Sequence, residues 1–189
     1  MEIYLIRHGE TDQAHAPDPF SASLTERGRA QAQRIAEWCV EWGIEFLCTS
    51  PVSYTQQTAD AISERLPQII RWDLDELEDV NADDLLGDPL ASPLVERWTA
   101  EQLARAYEHM WNRVMAALTH IQLYAQSRGI KRVAIVAHQL TLQMLLLAWT
   151  GRDWRALLEK GIPTIEPGAS CKLVLEEDGQ GQVVWMNRK

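Results

Sequence analysis

The chain has 189 residues, 46% of them apolar and 24% charged, which are the proportions of a globular domain able to bury its own core. A formal charge of -9 and a pI near 5.0 argue against a general nucleic-acid or membrane-surface binder, so an anionic ligand would need a locally basic pocket. Cys39, Cys48 and Cys171 are odd in number, far apart and set among apolar residues, which fits small core residues in a reducing compartment rather than a disulfide frame or zinc site.

Glu2 to Arg7 reads as a short strand. Thr25 caps a helix running to about Trp42. Phe46 to Thr49 is a second strand, and Pro51 opens a helix that continues to about Leu66, where Pro67 stops it. Ile69 to Trp72 is a third strand, followed by an acidic stretch from Asp73 to Asp88 and a segment with Pro89 and Pro93 that reads as a cap or loop. Thr99 and Gln102 form a capping box for a long helix ending near Gly129, with Leu103, Tyr107, Met110, Val114, Leu118 and Ile121 at core spacing. Val133 to Ala137 is a buried strand and Leu140 to Trp149 a further helix. Cys171 to Glu176 and Gln182 to Asn187 pair across a tight Asp178-Gly179 turn. Strands alternating with helices until a closing hairpin predict an α/β fold of three layers: a mixed, mostly parallel central sheet with helices on both faces. No repeat or linker divides the chain, so one domain over 1–189 is expected, with a cap or loop insertion near 73–98. The start has no basic segment leading into a long apolar one, and the run from Leu145 to Trp149 is too short to span a bilayer, so a cytoplasmic location is expected.

Chemistry concentrates at the ends of two apolar strands. The first stops on Arg7-His8-Gly9, which sets a fixed positive charge beside an imidazole, and Gly9 lets the backbone turn closely around a ligand. That pairing suits an incoming phosphoryl group: a guanidinium grips two oxygens while the imidazole attacks phosphorus. His138 follows the strand Val133 to Ala137 in the same way. Parallel α/β sheets gather ligands at strand carboxyl ends, so both rings are expected at one crevice, although His138 alone would fit a satisfied histidine at a strand end. His15, His109 and His120 match no such pattern.

The heptad Leu5-Ile6-Arg7-His8-Gly9-Glu10-Thr11 resembles the N-terminal signature of the histidine phosphatase superfamily, also called the phosphoglycerate mutase-like family. The resemblance continues through Ser23-Leu24-Thr25-Glu26-Arg27-Gly28-Arg29-Ala30-Gln31-Ala32, Thr49-Ser50-Pro51 with Gln57-Thr58-Ala59, Leu74-Asp75-Glu76, and Ile135-Val136-Ala137-His138. It implies a phosphohistidine on His8, with Arg7, Gly9 and His138 at the phosphoryl group and Glu76 as the proton donor. Asp73, Asp75, Glu78 and Asp79 crowd the same stretch and stand as alternatives to Glu76. The implied chemistry needs no metal or other cofactor, and the implied partner is a small phosphorylated substrate or other phosphoester.

Two positions depart from the family pattern. Tyr54 stands where a second phosphate-binding arginine is expected, leaving a phenol to contact the phosphoryl group, and Gln139 replaces the usual glycine-rich turn after His138. A relocated cation, from Arg97 or Arg105, is one way to restore the charge. Three functions follow: a phosphate-monoester hydrolase, with turnover impaired at Tyr54; a non-catalytic phospholigand-binding module on the same fold; and, less favoured, a phosphoglycerate mutase.

Overall fold

A computed structural model of the protein describes residues 1–12, 21–79, 99–159, 161–176 and 179–189. Six strands, β1 (Glu2–Arg7), β2 (Phe46–Thr49), β3 (Ile70–Asp73), β4 (Arg132–Ala137), β5 (Ser170–Leu175) and β6 (Gly181–Arg188), form one sheet in the order β3-β2-β4-β1-β5-β6. The first four in that order are parallel, whereas β5 runs antiparallel to both β1 and β6.

The unbroken apolar character of β1, β2 and β4 reflects burial on both faces. Alternate residues serve opposite layers: Ile3, Leu5, Phe46, Cys48, Val133 and Ile135 pack under α3 (Ala100–Arg128) and α4 (Gln139–Trp149). Tyr4, Ile6, Leu47, Ala134 and Val136 pack under α1 (Glu26–Trp42) and α2 (Ser53–Arg65). The expected three-layer α/β architecture is therefore the observed one. All three cysteines are free and buried.

Local signals set the helix ends. Thr25 accepts a hydrogen bond from the Gly28 amide, and Gly43 closes α1 in the left-handed conformation at φ 63°. The Thr99–Gln102 capping box is reciprocal, and Gly129 ends α3 at φ 67°. Of the core positions expected on α3, Met110, Val114, Leu118 and Ile121 are buried, while Leu103 and Tyr107 are half-buried.

Several boundaries differ from expectation by a residue or two, and one element is new. The β3 strand is shifted one residue along, and a 3-10 turn at Trp154–Leu158 had no sequence expectation. Helix α2 begins at Ser53 rather than Pro51, because Ser50 to Val52 form a turn in which the Val52 amide donates to Ser50 Oγ. Most of the expected cap near 73–98, with Pro89, Pro93 and Arg97, lies outside the described residues, as do His15 and Asp178. Among the described residues, no helix is long and apolar enough to cross a membrane.

Candidate active site

Strands β1 and β4 are parallel neighbours in a register that pairs Arg7 with Ala137. The residue after each is a histidine, so the two imidazoles emerge side by side at the carboxyl edge of the sheet. Their ring centroids are 5.6 Å apart. Both are buried, His8 to 6% exposure and His138 to 1%.

His8 is held in one tautomer. Its Nδ1 lies 2.8 Å from the carbonyl oxygen of Gly9, which only accepts, so Nδ1 carries the proton and Nε2 keeps its lone pair. The loop carrying it is tied from several sides. The Gly9 amide donates to Thr58 Oγ1, and the Gly168 amide donates to the His8 carbonyl. Gln31 accepts from the Glu10 amide and donates to the Pro167 carbonyl. Gly9 and Gly28 meet backbone to backbone: a Cβ on Gly9 would lie 2.4 Å from the Gly28 oxygen, and one on Gly28 would lie 2.0 Å from the Glu10 oxygen. His138 caps α4 and shares a 2.9 Å hydrogen bond between its Nε2 and Ser50 Oγ.

Burial pushes the His8 imidazole down to about 4, and the neighbouring Arg7 charge adds to that while the Gly9 hydrogen bond opposes it. His138 is driven well below its ordinary value, first by burial and then by the charges of His8, Arg7 and Arg113. Both rings are therefore neutral at physiological pH.

Arg7 supplies the cation. Its main chain donates to the Ala169 carbonyl, and its Nη1 donates to Gln139 Oε1 at 2.8 Å and to the Ile165 carbonyl at 3.1 Å. Its Nε is buried with no hydrogen-bond partner among the described residues. Burial draws the guanidinium below its ordinary value, countered by the charge of Asp79 and by Tyr54. Gln139, the first residue of α4, thus orients Arg7 where the family pattern has glycine. Tyr54 lies against both histidines, its ring centroid 4.4 Å from that of His8 and 5.3 Å from that of His138, at 3% exposure.

The acidic segment enters from β3. Asp75–Leu77 form one 3-10 turn, anchored by the fully buried Leu77. Glu76 is half-buried, and its one hydrogen bond among the described residues is made through its carbonyl, to Arg113. Asp79, by contrast, lies close enough to Arg7 for its charge to act there. Arg105 is exposed and pairs with Glu101 on its own helix at 3.9 Å.

The structure thus brings Arg7, His8, Gly9, Tyr54, His138 and Gln139 together. Ser50, Thr58, Gln31 and Arg113 were not singled out from the sequence. Ser50 and Thr58 lie inside motifs that were recognised, so position within a motif was the available signal. The same holds for Gln31, in the motif that opens the first helix, whereas Arg113 acts through main-chain contacts distant in sequence and left none. Among the described residues, no group of histidine, cysteine or carboxylate side chains is arranged to hold a metal ion.

Residues 3–189 match the family model for the histidine phosphatase superfamily (branch 1). The chain is 29% identical over 160 residues to the uncharacterized phosphatase PhoE of Bacillus subtilis, covering 80% of this chain and 78% of that one. It is 34% identical to a probable phosphoglycerate mutase GpmB of Cronobacter sakazakii over 67 residues, 34% of this chain and 31% of that protein. The α-ribazole phosphatase of Shigella flexneri superposes with a TM-score of 0.74 at 18% identity, over all of this chain and 96% of the other. A match from the third residue to the last, on a fold shared along the whole chain, leads to one conclusion: the protein belongs to the histidine phosphatase superfamily, branch 1.

Proposed function

We propose that the protein hydrolyses small phosphate monoesters through a phosphohistidine on His8. The observation that carries this reading is the His8 ring itself: neutral, with Nδ1 tied to the Gly9 carbonyl and Nε2 left as the nucleophile beside His138. Nε2 attacks phosphorus, the ester P–O bond breaks, and the leaving oxygen takes a proton from a carboxylic acid of the segment 75–79, with Glu76 assigned that role by its place in the family motif. Water then attacks the phosphohistidine and gives its proton to the same carboxylate, the P–N bond breaks, and inorganic phosphate leaves. Arg7 and His138, with Gly9, Tyr54 and Gln139 around them, offset charge on the equatorial oxygens. The Arg7 Nε, which has no acceptor among the described residues, supports this, since a buried N–H without one is costly and a phosphoryl oxygen supplies it. So do the names of its relatives, two of which are phosphatases.

The test is rapid-quench labelling with a phosphoester panel. An acid-labile phosphoryl adduct is expected on the wild type and absent from His8→Ala. Full turnover by His8→Ala would defeat the proposal.

One observation favours a second reading, a phospholigand-binding module without turnover. The uncharged Tyr54 ring is buried against both histidines where the family pattern has an arginine. Loss of one charged donor costs about 2–4 kcal/mol of transition-state stabilisation, roughly a hundredfold or more in rate. Saturable phosphate binding with no phosphate release would decide for it.

A further inference from the structure

The segment Asp75-Glu76-Leu77-Glu78-Asp79 carries four carboxylates in five residues, a composition that ordinarily forms a loose, solvated loop. Its main chain is instead gripped by two side chains from the helices on that face. Arg113, in the middle of α3, donates through Nη1 to the carbonyls of Asp75 (3.2 Å), Glu76 (3.0 Å) and Glu78 (3.1 Å), and through Nη2 to that of Asp79 (3.1 Å). Thr141, three residues after His138, donates through Oγ1 to the carbonyls of Glu78 (3.0 Å) and Leu77 (3.4 Å). All five consecutive carbonyls therefore accept from Arg113 or Thr141.

We infer that Arg113 is a positioning residue, whose guanidinium fixes the acidic segment at the histidine pocket and so sets where the proton-donating carboxylate stands. Thr141, in the first turn of the helix that His138 begins, places the clamp at the site, and the electrostatics agree. The Asp79 charge is felt at Arg7, and the Arg113 charge is felt at His138. A guanidinium suits the task because its fork of five N–H groups serves several acceptors at once, which an ammonium on a flexible stem does not. The cation also offsets the mutual repulsion of four crowded carboxylates.

The inference rests on the proposed hydrolase reading, and leaving-group dependence tests it. An alkoxide leaving group needs a proton in the transition state, whereas p-nitrophenolate needs little help. In Arg113→Met, kcat on glycerol phosphate is expected to fall roughly tenfold to a hundredfold further than kcat on p-nitrophenyl phosphate, with KM little changed. Arg113→Lys should fall between the two, and it serves alone if the methionine variant does not fold. In parallel, hydrogen exchange of the Leu77 and Glu78 amides, which donate to the Leu74 and Asp75 carbonyls, should accelerate in the variant while that of α1 and α2 is unmoved.

Equal losses on both substrates, or unchanged exchange at Leu77 and Glu78, would overturn the inference. If the wild type turns over neither substrate, the hydrolase reading falls, and the exchange result alone decides whether Arg113 orders the segment.

Discussion

The ring of Tyr54 stands closer to His8, at 4.4 Å between centroids, than His138 does at 5.6 Å. The phenol is thus part of the wall around the nucleophile, and its lack of charge makes it the residue on which catalytic rate should turn. Tyr54→Arg is expected to raise kcat/KM for p-nitrophenyl phosphate by roughly a hundredfold, the scale of a restored oxyanion donor. A lower rate in the variant, measured by steady-state phosphate release, would mean that the phenol itself serves the reaction.

Gln139 offers a second test. Its Oε1 is one of two acceptors for Arg7 Nη1, the other being the Ile165 carbonyl. Gln139→Ala should loosen the guanidinium and cost about 1–2 kcal/mol, roughly fivefold to thirtyfold in kcat/KM. Inhibition by inorganic phosphate should weaken in step; an unchanged inhibition constant would count against orientation of Arg7 by this amide.

The identity of the proton donor separates by substitution. Glu76→Gln is expected to lower kcat on glycerol phosphate by about a hundredfold or more while sparing most of the rate on p-nitrophenyl phosphate. The same pattern from Asp79→Asn, and not from Glu76→Gln, would move the role to the carboxylate whose charge reaches Arg7.

Acid should act on both rate and stability through His8. Its folded value of about 4 lies below the ordinary 6.5, so between these limits the unfolded chain binds more protons than the folded one. Stability is therefore complete above 6.5, falls as pH drops, and has lost this contribution, on the order of 3 kcal/mol, once pH has passed through about 4. The buried His138 acts in the same direction. Urea unfolding at intervals from pH 4 to 7 should show a slope that is smaller in His8→Asn. The acidic limb of kcat/KM should likewise lie near pH 4 rather than 6.5.

Gly28→Ala should be severe for a residue in the first turn of a helix, where alanine is ordinarily favoured. The added carbon would sit 2.0 Å from the Glu10 oxygen, and main chain cannot step aside as a side-chain tip can. A loss of about 2 kcal/mol or more is expected, read as a fall in Tm with loss of phosphate release.

The parts legible in the sequence were those written locally. His8 and His138 each end an apolar run, and the position after a buried parallel strand fixes where such a side chain emerges. Thr99, Gln102 and Gly129 fixed the long helix because caps depend on a few neighbouring residues. Contacts between a side chain and distant main chain left no such trace. Gln139 reads as a bulky intrusion beside a histidine until the guanidinium 132 positions away is seen to bond its amide. Arg113 looks like one more surface charge on a polar helix face, because its acceptors are carbonyls that carry no sequence identity.

The stretch from Ile165 to Ala169 supplies acceptors for Arg7 and a donor for His8, and β5 beyond it covers the open side of β1. A nascent polypeptide that has left the ribosome only as far as α4 already holds both imidazoles, the arginine and the acidic turn. It still lacks the Ile165 and Ala169 carbonyls that accept from Arg7 and the Gly168 amide that donates to His8. Maturation of the pocket during synthesis therefore waits for the stretch leading into β5 to arrive and zip onto β1.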